Sequence, residues 1–210
     1  MKRIIIHWSG GGYRAGPADL RAYHRLVQGD GTVIDGLHPI STNAAPIRQP
    51  NNSATYAAHT ARLNTDSIGI AFCAMHGARE RPFSPGAAPI TPVQLDAMVA
   101  EVARLAREYK IPITRQTVLT HAEVPITLGV AQAGKWDVTW LPGMAAPAPP
   151  VQVGDKLRSR ITAATAPPRR PDPKPVTIPP LPAPAERADL TAGVILGLAL
   201  AAAAAFFILN

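Results

Sequence analysis

Short apolar runs alternate with glycine- and proline-containing segments over most of the chain. The runs are three to eight residues long and are bounded by turn residues, a pattern that predicts strands rather than long helices. The predicted strands are residues 4–6, 23–28, 32–35, 67–74 and 118–121. The second and third of these flank Gly29-Asp30-Gly31, which predicts a hairpin because glycine tolerates the positive φ of a tight turn.

Helical periodicity is clearest over residues 91–109. Thr91 and Gln94 have the spacing of a capping box, and Pro92 stands at the first helical position. One face of this helix carries Leu95, Met98, Val102, Leu105 and Tyr109. Residues 153–161 predict a short basic helix, whereas the glycines between His7 and Tyr23 favour a loop with at most one helical turn.

The last quarter of the chain has a different composition. Of the 23 prolines, 12 fall between residues 145 and 189. Residues 164–189 therefore predict a semi-rigid spacer. Residues 190–209 form an apolar stretch without charge, long enough as a helix to cross a bilayer core of about 30 Å. The expected organisation is a folded domain at 1–163, a proline-rich linker at 164–189 and a transmembrane helix at 190–209.

Composition and charge narrow the function classes. The 210 residues carry a net charge of +7, and +6 of this lies in residues 1–163, with 17 Lys and Arg against 11 Asp and Glu. No DNA- or RNA-binding motif accompanies this charge, so we expect anionic cell-envelope polymers rather than nucleic acid as partners. The single cysteine, Cys73, excludes a disulfide framework and a multi-cysteine metal site, and it is expected to pack as a small apolar side chain.

Three polar residues stand at positions suited to a metal. His7 ends the first apolar run, His121 ends the last predicted strand, and Asp137 follows sixteen residues later. Two imidazoles and one carboxylate would form a three-ligand zinc site with a fourth position open to water. The alternative is that each histidine is a hydrogen-bonded structural residue at a strand end.

Five motifs that follow one another along the chain resemble those of a known family. They are Ile-Ile-Ile-His-Trp-Ser-Gly-Gly from residue 4, Tyr-His-Arg-Leu-Val-Gln-Gly-Asp-Gly-Thr-Val from residue 23, His59 ahead of Ser-Ile-Gly-Ile, Thr120-His121, and Gly-Lys-Trp-Asp ending at residue 137. Together they resemble the zinc-dependent N-acetylmuramoyl-L-alanine amidases over residues 1–163. The resemblance implies an α/β fold with a mixed central β-sheet flanked by helices.

The resemblance also implies residue roles. His7, His121 and Asp137 match the zinc ligands of that family, and Lys135 matches its catalytic lysine. Tyr23 matches a tyrosine that assists catalysis in the phage enzymes. His59 and Asn64 match positions that line the substrate groove. Without the resemblance, the favoured interpretations are an aromatic residue of a strand for Tyr23, a surface charge for Lys135 and a turn residue for Asn64.

The implied function is a peptidoglycan hydrolase that uses a zinc-activated water to cleave the amide between N-acetylmuramic acid and L-alanine. A phage endolysin acting in host lysis would join this enzyme to the tail, held at the host inner membrane with its substrate in the periplasm. The first apolar run is too short for a signal peptide, and the charges that precede residues 190–209 place the domain on the cytoplasmic side until lysis. The alternative is a non-catalytic peptidoglycan-binding module anchored at the membrane.

Overall fold

The computed structural model describes residues 1–44, 46–47 and 54–165. The strands are β1 (Arg3–Trp8), β2 (Arg25–Val27), β3 (Val33–Asp35), β4 (Ser67–Phe72) and β5 (Val118–Thr120), and the helices are α1 (Pro17–Ala22), α2 (Pro92–Glu108), α3 (Val124–Leu128) and α4 (Pro150–Thr165). Short 3-10 helices span Ile40–Asn43 and His121–Glu123. The expected mixed α/β fold with helices around a central sheet is confirmed.

The strands form one sheet in the order β3-β2-β4-β1-β5. β1 lies between β4 and β5 and runs parallel to both, and β2 is parallel to β4. β3 pairs antiparallel with β2, which confirms the predicted hairpin with shorter strands. Because β1, β4 and β5 are parallel, the residues at their carboxyl ends meet at one edge of the sheet.

The two faces of the sheet bury different helices. The larger core joins the sheet to α2 and α4 and includes Ile4, Ile6, Ile68, Ile70, Phe72, Met98, Val102, Leu105, Leu157 and Ile161. Ile5 packs on the opposite face with Leu119 and Val124. Side chains alternate along a strand, so His7 shares the face of Ile5 and points away from the larger core.

Most predicted elements are present, several strands are shorter than predicted, and two helices are longer. α2 is capped by Thr91, whose hydroxyl accepts a hydrogen bond from the Gln94 backbone N–H at 3.1 Å. α1 is six residues long, more than the single turn expected, because Pro17 begins it and Asp19 Oδ2 accepts from the Gly16 N–H at 2.9 Å. α4 is longer than the predicted helix and extends to Thr165.

The chain divides into two units, Met1–Arg169 and Arg170–Asn210, and every described residue belongs to the first. Among the described residues, no helix is both long enough and apolar enough to cross a membrane. The predicted transmembrane stretch at 190–209, and the spacer from residue 166 onward, lie outside the described residues.

Candidate metal centre

The sheet brings the two candidate histidines together. His7 lies near the end of β1, and Ile6 pairs in register with Thr120, the last residue of β5. His121 follows Thr120 directly and opens a 3-10 helix. Two residues 114 apart in sequence therefore meet at the carboxyl edge of two adjacent parallel strands.

Asp137 completes the cluster from the loop between α3 and α4. The Ala122 backbone N–H donates to the Asp137 carbonyl at 2.6 Å, which ties this loop to the turn after β5. The three donor atoms form a small triangle: His7 Nδ1 to His121 Nδ1 is 3.0 Å, His7 Nδ1 to Asp137 Oδ2 is 3.2 Å, and His121 Nδ1 to Asp137 Oδ2 is 3.1 Å. All three side chains are buried.

Hydrogen bonding within the protein does not account for this triangle. A neutral imidazole carries one N–H, and here both Nδ1 atoms face each other as well as the same carboxylate oxygen. At least one of the three short contacts therefore joins two atoms that repel unless a cation lies between them. The cluster could hold a metal ion.

Electrostatics favours the ligating protonation states. Burial, followed by the neighbouring His121, lowers the pKa of His7 to about 4, so this imidazole is neutral at pH 7. Burial acts to raise the pKa of Asp137, but its contacts with His121 and His7 outweigh burial and hold that pKa below its usual range. Neutral imidazole and ionised carboxylate are the forms that bind metals.

The second ring nitrogens of both histidines have polar partners that the sequence did not point to. His121 Nε2 lies 3.0 Å from Gln132 Oε1, and His7 Nε2 lies 3.4 Å from Thr60 Oγ1. Neither Gln132 nor Thr60 falls in the motifs that carry the resemblance. Their contacts with His121 and His7 join residues 11 and 53 positions apart in the sequence, so only the folded structure reveals them.

Tyr23 and Lys135 line the cavity that opens onto the cluster. The cavity has a volume of about 290 Å³ and is also lined by His121 and Asp137. The Tyr23 ring centroid is 5.1 Å from that of His7, and burial raises the pKa of Tyr23, which keeps its hydroxyl protonated. Lys135 is near enough that its charge adds to burial and to His121 in lowering the pKa of His7.

His59 and Asn64 belong to one buried segment beside the cluster. His59 lines the cavity, and its ring centroid is 5.3 Å from that of His7. The Asn64 Oδ1 accepts from the backbone N–H groups of His59 and Thr60 at 3.1 and 2.8 Å, and Asn64 lies outside the cavity lining. Asn64 thus shapes the segment that presents His59, while substrate contact by either residue stays a prediction.

A second buried polar cluster lies under the same turn. Arg158 of α4 donates from Nη2 to Glu123 Oε1 at 2.8 Å and from Nη1 to Glu123 Oε2 at 3.1 Å. The Thr120 backbone N–H donates to Glu123 Oε2 at 2.8 Å, and Arg158 Nη1 also donates to the Val118 carbonyl at 2.9 Å. The sequence predicted a basic helix here. In the structure, the Arg158 side chain of that helix points inward and binds the turn that carries His121.

Comparison with known protein families matches residues 1–143 to the N-acetylmuramoyl-L-alanine amidases. This match covers more than half of the chain, and the chain belongs to that family. All three residues of the metal cluster fall inside the matched range. No relative was found among curated proteins.

Solved structures that are similar to this chain include the following two. The N-acetylmuramyl-L-alanine amidase AmiD from E. coli, solved with the substrate anhydro-N-acetylmuramic acid-L-Ala-D-γ-Glu-L-Lys, is 21% identical with a TM-score of 0.41, covering 66% of this chain and 52% of that one. The Ph2119 endolysin of a Thermus scotoductus bacteriophage is 22% identical with a TM-score of 0.36, covering 58% and 71%. The chain spans about half the length of the E. coli amidase.

Proposed function

We propose that this chain is a zinc-dependent peptidoglycan amidase that hydrolyses the bond between N-acetylmuramic acid and the L-alanine of the stem peptide. The observation that carries the proposal is the convergence of His7, His121 and Asp137 donor atoms within 3.2 Å of one another, in a chain of the N-acetylmuramoyl-L-alanine amidase family.

The donor set fits zinc. Two histidine nitrogens and one carboxylate oxygen are a ligand set of catalytic zinc sites, which leave the fourth position open. Tetrahedral zinc with ligands at about 2.0–2.1 Å separates neighbouring donor atoms by about 3.3 Å. The observed separations of 3.0–3.2 Å are close to that value, so a small adjustment of the three side chains admits the ion.

Zinc supplies an activated water and a Lewis acid for the scissile carbonyl when it is bound. The chain's own residues supply the rest of the site. Lys135 places a positive charge beside the carbonyl oxygen, where negative charge develops during amide hydrolysis. Tyr23 keeps its phenolic proton at neutral pH and can therefore orient the attacking water through a hydrogen bond. In the overall hydrolysis the oxygen of the attacking water bonds to the carbonyl carbon, the C–N bond breaks, and a proton of that water ends on the leaving amine of L-alanine.

The cavities offer room for a branched substrate. A second cavity of about 500 Å³ shares Lys135 and Trp136 with the first and extends toward Glu80 and Arg81. We place the reacting amide in the smaller cavity and one arm of the substrate in the larger. The basic excess of residues 1–163 suits the anionic polymers around such a substrate.

The cellular role proposed here is host lysis by a phage endolysin. An enzyme joined through the predicted proline-rich spacer, from residue 166 onward, to the predicted transmembrane stretch at 190–209 would wait at the inner membrane, next to peptidoglycan. Fractionating cells that express the full chain tests this role. We expect the protein in the membrane fraction, and a chain truncated after residue 189 that remains there would contradict the tether.

Product analysis tests the activity itself. The purified full chain, loaded with zinc, is incubated with peptidoglycan, and the soluble products are identified by mass spectrometry. We expect stem peptides with a free L-alanine amino terminus, and none when a chelator is present. A chain that binds peptidoglycan and zinc but releases no peptide would instead identify a non-catalytic binding module.

A further inference from the structure

The metal cluster of His7, His121 and Asp137 is held by a neighbouring strap, the two short segments 60–62 and 130–132. Gln132 Nε2 donates to the Ala61 carbonyl at 3.0 Å, and Arg62 Nη2 donates to the Ala131 carbonyl at 3.2 Å. The two hydrogen bonds run in opposite directions between the segments. The strap therefore joins the part of the chain before β4 to the loop that carries Lys135 and Asp137.

The orientation of the Gln132 amide follows from these contacts. Its nitrogen lies 3.0 Å from the Ala61 carbonyl and 3.4 Å from the Val130 carbonyl, and both of those oxygens only accept hydrogen bonds. The NH₂ group must face them, so the amide oxygen faces His121. That oxygen accepts only, and the atom 3.0 Å from it, His121 Nε2, must carry the hydrogen.

This tautomer has a direct consequence for the cluster. With the hydrogen on Nε2, a neutral His121 presents a lone pair at Nδ1, the atom that points at His7 Nδ1 and Asp137 Oδ2. In metal sites, an acceptor on the far ring nitrogen fixes the ring and raises its basicity, and removing it typically lowers metal affinity about 10- to 100-fold.

We propose that Gln132 is a positioning residue of the metal site: its amide oxygen fixes His121 in the tautomer and orientation that present Nδ1 to the ion. Its amide hydrogens, donated to Ala61 and Val130, hold that oxygen in place. This inference rests on the metal site of the proposed function and goes beyond it, since it assigns a role to a residue outside the ligand set and outside the catalytic groups.

Zinc affinity of the full-length chain tests the proposal, measured by competition with a chromophoric chelator. Gln132→Met keeps the length of the side chain but removes the acceptor, and we expect a 10- to 100-fold loss of affinity. Gln132→Glu keeps an acceptor for His121 but loses the amide hydrogens that face Ala61 and Val130, and we expect its affinity to lie between those of the wild type and Gln132→Met. The absorption spectrum of the cobalt-loaded chain should change more in Gln132→Met than in Gln132→Glu.

Arg62→Ala is the matched control. It removes the other hydrogen bond of the strap without touching an imidazole, and we expect zinc affinity within about twofold of the wild type. Thermal unfolding of the metal-free variants separates positioning from a general loss of structure. Both Gln132→Met and Arg62→Ala remove strap hydrogen bonds, so a positioning role predicts similar metal-free Tm values for the two variants.

Two results would overturn the proposal alone. They are wild-type affinity in Gln132→Met, and an equal loss in Gln132→Met and Arg62→Ala, which would assign the effect to the strap as a whole. A wild-type chain that binds no zinc would overturn the metal site along with the proposal. A chain that binds zinc as described but hydrolyses no peptidoglycan would leave the role of Gln132 standing and overturn only the proposed activity.

Discussion

Two buried polar clusters share the turn after β5 and differ in how their charges and dipoles are satisfied. In the ion pair of Glu123 and Arg158, each carboxylate oxygen accepts from a guanidinium N–H. In the cluster of His7, His121 and Asp137, lone pairs and a carboxylate oxygen converge on one another. Buried polar atoms that the protein itself pairs belong to the folded structure. Buried lone pairs that face one another without a hydrogen between them indicate a site for a cation.

The largest expected effect comes from removing the carboxylate of the unsatisfied cluster. Asp137→Ala should lose zinc binding and lower turnover at least about a thousandfold, because the metal contributes several kcal/mol to the transition state. Metal analysis and peptide release measure both. The matched control is Asp96→Ala, which removes an exposed aspartate paired with Arg160 and should leave both quantities unchanged. One equivalent of zinc retained by Asp137→Ala would show that the ligand set is wrong.

Breaking the ion pair of Glu123 and Arg158 should destabilise the protein without removing the metal site. Glu123→Gln leaves the buried Arg158 with only the partly exposed Asp155 as a counter-charge, and we expect the free energy of unfolding to fall by about 3 kcal/mol. Below the unfolding transition the variant should still bind one zinc. Arg160→Met, which disrupts the exposed pair with Asp96, should cost less than about 1 kcal/mol in the same urea titration. Equal losses for the two variants would contradict the distinction drawn between the clusters.

Replacing Lys135 should lower turnover without changing metal binding. Lys135→Ala removes the cation placed beside the developing oxyanion, and we expect turnover to fall by about a hundredfold with zinc content unchanged. Lys156→Ala, on the exposed side of α4, is the charge-matched control and should retain full turnover. Loss of zinc together with activity in Lys135→Ala would move this residue from catalysis to support of the metal.

Gly154 tests how firmly the Glu123 carboxylate is held in the buried ion pair with Arg158. A Cβ on Gly154 would lie 2.0 Å from Glu123 Oε2, so Gly154→Ala must displace the buried carboxylate. Alanine in a helix is otherwise favoured over glycine by about 1 kcal/mol. We expect a net loss of about 1–3 kcal/mol in the free energy of unfolding. At Gly12 a Cβ meets no atom within 4 Å, and Gly12→Ala should change stability by less than about 0.5 kcal/mol. A stabilised Gly154→Ala would show that Glu123 moves freely.

Local sequence patterns predicted much of the fold. The apolar runs correspond to β1 and β4, and the capping box of Thr91 and Gln94 corresponds to the start of α2. These signals are local, because they depend on residues a few positions apart. The length of α1 was underestimated because glycine-rich composition outweighed the capping signal of Pro17 and Asp19.

The sequence predicted the candidate metal ligands but not the residues that hold those ligands in place. His7, His121 and Asp137 stand out as polar residues at strand ends and in family motifs, and the sheet brings them together. Gln132 and the inward turn of Arg158 depend on which segments pack against each other, and this depends on tertiary structure. The position of Arg158 next to Leu157 on the buried side of α4 was the available signal for an inward arginine.

Zinc titration of the metal-free full chain tests the central claim most directly. Aliquots of zinc are added to chelator-treated protein, and peptide release from peptidoglycan is measured at each ratio. We expect activity to be absent without metal, to rise in proportion to added zinc and to reach a plateau at one equivalent per chain. Full activity in the metal-free protein, or a wild-type chain that takes up no zinc, would contradict the assignment of His7, His121 and Asp137 as a catalytic zinc centre.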